Sequence, residues 1–318
     1  MVGPDLLTRI VARASLAPSV HNVQPTRWSL DGEGRILLLD TPSIRLPAAD
    51  PRGRDIAISH GAALEGTLLA LATEGWAGQV EQADGALAAI RATPDTRVGL
   101  PEVERRATWR GTFVPLADAT ALDRLAAECA DLVLVRGREA VTRIAALGDD
   151  ASMHFLREDA HRNELREWMR LTRAHPNWAH DGLNAEAMAL SPIEARAAGL
   201  VLGALFRPLD RLGLARTLLS ERAKTASAAA IALFVRPAGE PAIETGRAFY
   251  RAWLAMERHG LAACPVSVLA DWPETNRLLA AEQGVPAGQA LISAFRIGQR
   301  PPSAKVRRAR WAPHQLIG

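Results

Sequence analysis

Residues 17–28, APSVHNVQPTRW, place several hydrogen-bonding side chains in a short segment directly after an apolar helical run. Pro18 and Pro25 bracket most of the segment, so a helix cannot continue through it. Serine, histidine, asparagine and glutamine supply donors and acceptors, but no fixed charge. The same residue types also form ordinary polar turns. Taken alone, the segment leaves two interpretations open: a surface turn, or a rigid loop that hydrogen-bonds the edge of a ligand.

Two basic clusters lie far apart in the sequence. The first is RRATWR, with Arg105, Arg106, Thr108 and Arg110, and the second is KVRRAR, with Lys305, Arg307 and Arg308. Guanidinium groups next to a hydroxyl suit phosphate oxygens or a developing anion. Lys305 and Arg307 alternate, so both would face the same side of an extended segment. Either cluster alone could be an exposed basic turn or tail, but together they could converge on one phosphate.

Other candidate features of the sequence indicate less. The stretch GLAACPVSV, residues 260–268, has small side chains that let a ligand approach the backbone, although tight packing gives the same composition. His154, His161, His175 and His180 do not have the close spacing of a metal site. The sequence also lacks GxSxG, P-loop and GxGxxG motifs. No motif therefore supports a serine nucleophile, an NTPase or a Rossmann dinucleotide site.

Composition limits the class of protein. The 318 residues are 48% hydrophobic and 23% charged, with a net charge of +3, as in an ordinary globular protein with a substantial core. The chain lacks a long uninterrupted apolar run and a signal-like start, so we expect a cytoplasmic protein without a membrane span. Cys129 and Cys264 do not make a disulfide framework. A short basic cluster in a nearly neutral chain favours a small phosphate over nucleic acid.

Hydrophobic patterns and breaker residues predict an α+β fold. Helices are predicted for residues 5–16, 54–74, 119–129, 139–173 and 244–259. Strands are predicted for residues 35–40, 76–82, 86–92, 131–136, 230–236 and 290–297. The elements mix without a regular βαβ alternation, which argues against a doubly wound sheet. Residues 94–104 are rich in turn formers and charge, and we place an internal boundary there.

Two predicted helices share one pattern. Gly61 to Gly75 reads GAALEGTLLALATEG, and Gly246 to Gly260 reads GRAFYRAWLAMERHG. Both segments begin and end with glycine at the same spacing, and both carry an apolar stripe at i, i+4 and i+7. Chance could produce this likeness, since apolar helices often end at glycine. A true internal repeat would make the chain two copies of one unit, packed as in a dimer.

These segments together resemble the nitroreductase superfamily of FMN-binding flavoproteins. The likeness is carried by PS-x-x-N-x-QP in the opening segment, R-x-T-x-R, the glycine-ended helix with GLAACP, and the terminal K-x-R. DPRGRDIAISHGAAL, residues 50–64, is similar to the fused-duplicate, Acg-like branch. The resemblance implies antiparallel sheets flanked by helices in three layers. It also implies two fused halves, residues 1–100 and 101–318, that form an intramolecular pseudo-dimer.

The resemblance further implies the site residues. One half would contribute the loop that covers the flavin, and the other both basic motifs, so we expect one FMN per chain. Arg110 would lie near flavin N1 and O2, and the backbone at Ser267 and Val268 near N5. The cofactor-binding set is Pro18, Ser19, Asn22, Gln24, Arg106, Thr108, Arg110, Lys305 and Arg307. Thr108 replaces the family's usual serine, and Thr26 follows Gln24-Pro25 where an aromatic is usual.

Two functions follow from the resemblance. The first is an FMN-dependent oxidoreductase of the nitroreductase type, with NADH or NADPH as the expected donor and an electron-poor acceptor. Residues 174–220 would form a lid that selects this acceptor. The second is a protein that stores or sequesters FMN without turnover, because a closed lid would exclude the nucleotide. The expected state is a monomer or a homodimer of pseudo-dimers.

Overall fold

The computed structural model describes residues 2–96 and 99–318. The predicted α+β class is confirmed, with antiparallel sheets and flanking helices. The first sheet contains β1 (Thr26–Leu30), β2 (Ile36–Asp40), β3 (Trp76–Glu81) and β4 (Ala88–Pro94). Helix α1 (Pro4–Ala14) precedes this sheet, and α2 (Arg54–Thr73) connects β2 to β3. Short helix α3 (Glu102–Arg105) follows the sheet.

The second sheet occupies the later part of the chain. It contains β5 (Leu132–Arg136), β8 (Ala230–Pro237), β9 (Ala262–Pro265) and β10 (Gln289–Gly298). Helix α4 (Ala121–Glu128) precedes β5, and α11 (Ala242–Arg258) connects β8 to β9. The other elements are α5 (Arg138–Arg157), α6 (Asp159–Trp168), β6 (Met169–Arg170), β7 (Leu183–Asn184), α7 (Pro192–Leu202), α8 (Phe206–Arg211), α9 (Leu214–Leu219), α10 (Arg222–Ala226), α12 (Val268–Asp271), α13 (Pro273–Glu282) and α14 (Pro313–Leu316).

The two sheets have the same topology. Their strand orders are β1-β2-β4-β3 and β5-β8-β10-β9, which are both first-second-fourth-third in chain order, and every pairing within them is antiparallel. In each case one long helix connects the second strand to the third. The second copy differs by the segment between β5 and β8, which carries α5 to α10. The architecture thus repeats, as the two glycine-bounded helices indicated.

Helices α2 and α11 form the contact between the two units, and glycines set its distance. A Cβ atom at Gly61 would lie 2.0 Å from the carbonyl oxygen of Ile243, and one at Gly246 would lie 2.0 Å from that of Ile58. Each glycine thus faces the residue three positions before the other. This reciprocity is what a two-fold interface produces. Glu65 also accepts a hydrogen bond from Arg247 across the contact, at 3.0 Å.

Most predicted elements are confirmed with small shifts at their ends, but three predictions differ from the structure. Residues 139–173 are not one helical stretch, because α5 ends at Arg157 and α6 at Trp168. Strand β1 was not predicted, since Thr26–Leu30 follows the proline-rich segment directly and contains alternating polar residues. Strand β9 lies within GLAACPVSV, a stretch for which no strand was predicted.

The proposed halves, residues 1–100 and 101–318, stay a prediction. Residues 97 and 98 of the predicted boundary segment lie outside the described residues. The end of the chain packs against the first sheet rather than the second, since the amide of Gly318 donates to the carbonyl of Trp28 at 2.8 Å. Helix α2 is long and apolar enough to cross a membrane by composition, but two-thirds of its most apolar window (67%) is buried in the protein.

Candidate functional site

One cavity of about 280 Å³ lies where the two units and the C-terminal segment meet. This volume is close to the lower end of the roughly 300–1,000 Å³ range of ligand pockets. The first unit contributes the loop after α1 and one face of α2. The later part of the chain contributes residues of α11, the segments around β9 and β10, and residues 306–310. Of the predicted site residues, the lining includes Pro18, Ser19, Asn22, Arg106, Thr108, Arg110, Ser267 and Arg307.

The loop at residues 18–24 is held in an uncommon backbone conformation. His21, Asn22 and Gln24 have φ angles of 43°, 57° and 51°, in the left-handed region that non-glycine residues seldom adopt. The hydroxyl of Ser19 accepts a hydrogen bond from the amide of Gln24 at 3.0 Å. Ser59 on α2 accepts one from the amide of Val20, also at 3.0 Å. Strain of this kind persists only where the surroundings over-determine it, and it concentrates at functional sites.

Asn22 connects three separate segments of the chain. Its Nδ2 donates to the carbonyls of Gly182 and Ala309, each at 3.2 Å. Its Oδ1 accepts from the guanidinium of Arg310 at 2.6 Å. Gln24 joins the loop to the same later part of the chain, since its Nε2 donates to the carbonyl of His180 at 2.7 Å. Gln24 therefore supports the loop from behind and does not line the cavity.

Replacing Asn22 with alanine is expected to lower the free energy of unfolding by about 2–4 kcal/mol. About 1–3 kcal/mol comes from leaving the partners of its amide unpaired, and about 1 kcal/mol from an alanine in the left-handed region. Denaturant unfolding measures the sum. Asn22→Gly is the matched variant, because it removes the same hydrogen bonds without the backbone cost. Equal stability of the alanine and glycine variants would contradict the assigned backbone strain.

The basic segments meet at the cavity. Arg308 donates from Nη1 to the carbonyl of Arg106 at 3.1 Å. Arg106 is buried, its guanidinium lies 4.5 Å from the ring centroid of Trp253, and its Nε has no hydrogen-bond partner. In the part of the chain that the structure describes, Arg106, Arg110, Arg308 and Arg310 form no ion pair with a carboxylate. These four arginines therefore concentrate positive charge that no ion pair among the described residues neutralises.

Burial affects the protonation of these groups. It is the largest cause lowering the pKa values of Arg106, Arg110 and Arg308, and it lowers the pKa of Arg310 to about 9, with the charges of Arg106 and Arg308 as further causes. Burying cations without counter-charges is costly. A bound anion would reverse this cost by restoring the missing partners.

In the C-terminal segment KVRRAR, the residues that face the cavity differ from the predicted pair Lys305 and Arg307. Lys305 is exposed and does not line the cavity. Arg307 lines it but is half exposed, with its nearest carboxylate, that of Glu186, at 3.8 Å. Arg308 and Arg310, which are absent from the predicted cofactor-binding set, also line the cavity. KVRRAR contains two alternating basic pairs, and only the fold decides which pair faces the protein.

Thr108 and the chain after β9 bring the two remaining predicted features together. Thr108 forms an isolated parallel bridge with Ala263, and the amide of Trp109 donates to the Ala263 carbonyl at 3.0 Å. This contact fixes R-x-T-x-R beside GLAACPVSV. Ser267 lines the cavity, but Val268, the first residue of α12, does not.

Only a small part of the predicted lid reaches the cavity. Gly182, Leu183 and Ala187 line it, and Ala187 accepts a hydrogen bond from Arg110 at 3.2 Å. The amide of Arg310 also donates to the carbonyl of Ala179 at 3.0 Å. The later part of the segment forms α7, α8 and α9. The role of residues 174–220 as a lid stays a prediction.

His21 is a cavity residue that the predicted site set omitted. Its pKa is lowered to about 4, chiefly by burial and then by the charges of Arg110 and His161. The imidazole is therefore neutral at physiological pH and can both donate and accept a hydrogen bond. Its position inside PS-x-x-N-x-QP was visible in the sequence, but its orientation depends on the left-handed backbone at this residue.

Comparison with curated proteins finds two relatives in Mycobacterium tuberculosis. “Putative NAD(P)H nitroreductase Rv3131” is 30% identical over 193 residues, which are 52% of this chain and 52% of the relative. “Putative NAD(P)H nitroreductase acg” is 37% identical over 82 residues, 26% of this chain and 24% of the relative. The chain spans about half the length of the first of these relatives and less of the second. No protein-family model matches the chain.

Comparison with solved structures finds FMN-dependent nitroreductases at low similarity. NfnB from Sphigopyxis sp. strain HMH, described as FMN- and NADPH-dependent, is 20% identical, with 68% of this chain and 96% of that chain covered and a TM-score of 0.37. NfnB from Mycobacterium smegmatis, in complex with NADPH, is 19% identical, with 68% and 90% covered and a TM-score of 0.36.

Proposed function

We propose that this chain, whose resemblance to the nitroreductase superfamily and its Acg-like branch is confirmed by its curated relatives, is an FMN-dependent oxidoreductase. It would hold one FMN in the cavity between its two units. The supporting observation is the group of four arginines around the cavity that have no carboxylate partner among the described residues. A ligand with a phosphate supplies the anion that this group lacks.

The residues present fit a phosphate-bearing cofactor. The unpartnered Nε of buried Arg106 is a donor without an acceptor, which a phosphate oxygen would satisfy. Thr108, Arg307 and Arg308 line the same cavity and would hold the cofactor tail with it. In this proposal, Arg308 takes the place expected for Lys305. Arg110 would stabilise negative charge on the ring system, and Pro18, Ser19 and Asn22 would cover it.

The flavin would supply hydride transfer at N5, from NADH or NADPH to an electron-poor acceptor. The protein's part is to bind, orient and polarise. The cavity arginines would hold the anionic tail, the strained loop would fix one wall, and neutral His21 would offer a hydrogen bond without adding charge. If residues 174–220, of which Gly182, Leu183 and Ala187 line the cavity, closed over it, NADH and NADPH would be excluded, so storage of FMN without turnover is the alternative function.

A visible spectrum of the purified protein tests the first part of this proposal. We expect flavin absorbance at one FMN per chain, or reconstitution to that ratio when FMN is added. Anaerobic mixing with NADH and NADPH then tests turnover, and bleaching of the flavin absorbance is expected with at least one of them. Protein that neither contains nor binds FMN would overturn the proposal. Bound flavin that neither nucleotide reduces within minutes would favour storage.

A further inference from the structure

Two carboxyl groups line the cavity and have no part in holding the proposed cofactor. Asp55 lies in the first turn of α2, and Asp271 is the last residue of α12. They come from different units of the repeated architecture and line the same cavity only because the units pack together. Neither carboxylate forms an ion pair within the described residues. A cavity otherwise dominated by arginines therefore also has an acidic wall.

The surroundings of this acidic wall contain few compensating charges. Arg54 is the nearby cation, and its exposed guanidinium donates to the carbonyl of Ile292 at 3.2 Å. Asp50 adds a third carboxylate, which accepts a hydrogen bond from the amide of Ile56 at 2.9 Å. The amide of Asp271 donates to the carbonyl of Ser267 at 2.9 Å, and the Ser267 hydroxyl acts against the rise in the pKa of the Asp271 carboxyl. The two cavity carboxylates thus have more negative than positive charge near them.

Both acids consequently bind protons more tightly than usual. The pKa of Asp55 is raised to about 6, by burial first and by the charge of Asp50 second. The pKa of Asp271 is raised to about 7, by burial first and by the charge of Asp55 second, although its side chain is open to the cavity. Because the charge of Asp55 raises the pKa of Asp271, the two carboxyls titrate as an interacting pair, and these values describe the pair. Between pH 6 and pH 7 the pair therefore holds about one proton on average.

We propose that Asp55 and Asp271 form a proton-sharing carboxyl pair that donates a proton to the acceptor reduced in this cavity, an assignment that rests on the proposed function. An acceptor that receives a hydride from reduced flavin carries an added electron pair and needs one proton for each hydride. The O–H bond of the carboxylic acid breaks, its electrons stay on the carboxylate, and the proton bonds to the acceptor. Solvent in the open cavity then returns a proton to the carboxylate.

Unfolding of the flavin-free protein tests the pair without any turnover. When folding raises the pKa of an acid, the native state binds more protons than the unfolded state at pH values between the unfolded and the folded pKa. Such an acid therefore stabilises the native state at low pH, and this stabilisation is lost as pH rises from about 4 to about 7. The ratio of the unfolding equilibrium constant of the wild type to that of Asp271→Asn should therefore increase at least about tenfold as pH rises over that range. Exposed Asp84 supplies the matched control, and Asp84→Asn should show no such difference.

Infrared spectroscopy of the same proteins identifies the shared proton directly. The wild type should show the carbonyl band of a protonated carboxylic acid near neutral pH, and the band should disappear as pH rises further. The double variant Asp55→Asn, Asp271→Asn should lack this band, and Asp84→Asn should keep it. Absence of the band in the wild type, together with parallel stability profiles of wild type and Asp271→Asn, would overturn the pair whether or not flavin binds.

The role of the pair is tested on flavin-loaded protein. Asp271→Asn and Asp55→Asn should retain the wild-type flavin content, but oxidation of the reduced flavin by a nitroaromatic acceptor should slow about 10²-fold, as for loss of a general acid. Added small carboxylic acids should restore part of this rate. Wild-type rates in both variants would overturn the proton-donor role. A protein that binds no flavin but shows the infrared band would contradict the proposed function and leave the pair itself intact.

Discussion

Replacing Arg106 with methionine is expected to weaken FMN binding by about 10- to 100-fold. A hydrogen bond between charged groups contributes roughly 1.5–3 kcal/mol, and each 1.4 kcal/mol corresponds to about tenfold in the dissociation constant. Arg106 is fully buried, and its Nε lacks a hydrogen-bond partner. The loss of binding free energy should therefore lie in the upper part of this range. Fluorescence titration of the flavin-free protein with FMN measures the change.

The same replacement should leave the flavin-free protein as stable as the wild type, or more stable. Exchanging a buried charge that has no counter-charge for an apolar side chain of similar length is often neutral or favourable. The carbonyl of Leu16, which accepts from Arg106 at 2.7 Å, keeps a second donor in Arg310 at 3.2 Å. Methionine can also pack against Trp253, which the guanidinium now covers. Weaker binding with unchanged or higher stability distinguishes a ligand-binding residue from a structural one.

Arg105 provides the matched control, because it is adjacent in sequence but exposed and paired with Glu102 at 3.3 Å. Arg105→Met should leave FMN affinity within about twofold of the wild type, since this guanidinium is exposed and does not line the cavity. If Arg106→Met bound FMN as tightly as Arg105→Met, the anion would lie elsewhere. If Arg106→Met instead unfolded the flavin-free protein, the arginine would be structural.

Sequence patterns predicted the elements whose signals are local. RILLLD and AIALFVR are continuous apolar runs that a buried strand requires, and both are strands in the structure. The two glycine-bounded helices are the pair that joins the units. Strand β1 was missed because its residues alternate directly after a proline-rich loop, where turn chemistry dominated the interpretation. The register of its pairing with β2 depends on partners that a local window does not contain.

The residues of the candidate site likewise fall into those with a local sequence signal and those that only tertiary packing brings together. The loop residues and R-x-T-x-R could be selected from the sequence, because each is a compact set of chemically suited side chains. Which alternate residues of KVRRAR face the cavity could not, since the segment has no regular structure of its own and its orientation comes from contacts with Asn22 and Ala179. Asp55 and Asp271 were not selected either, because neither has a local pattern and only the packing of the two units brings them to one cavity.

Gly61→Ala is expected to destabilise the protein by about 3 kcal/mol or more, although alanine favours helices over glycine by up to about 1 kcal/mol. The new Cβ would lie 2.0 Å from the carbonyl oxygen of Ile243 and 2.9 Å from the Cα atom of Gly246. Both are backbone atoms, so no side-chain rotation relieves the overlap, and helices α2 and α11 must move apart. Denaturant unfolding measures the loss, and FMN affinity should fall with it, because the cavity is built across this contact.

Gly148→Ala is the matched control. Gly148 is also inside a long helix, α5, but the nearest atom to its added Cβ would be Cγ1 of Val266 at 3.7 Å, an ordinary contact. This variant should be neutral or more stable by up to about 1 kcal/mol, since only helix propensity changes. A comparable loss of stability in both variants would mean that the helix crossing does not determine the cost.

The double variant Gly61→Ala, Gly246→Ala tests whether the contact is reciprocal. An added Cβ at Gly246 would lie 2.0 Å from the carbonyl oxygen of Ile58, so it strains the same crossing from the other side. Once the helices have separated to admit one methyl group, the second meets less resistance, and the two losses should sum to more than the loss in the double variant. Additive losses would show that the two glycines act as independent packing sites, and the chain would then lack the self-complementary interface of a fused dimer.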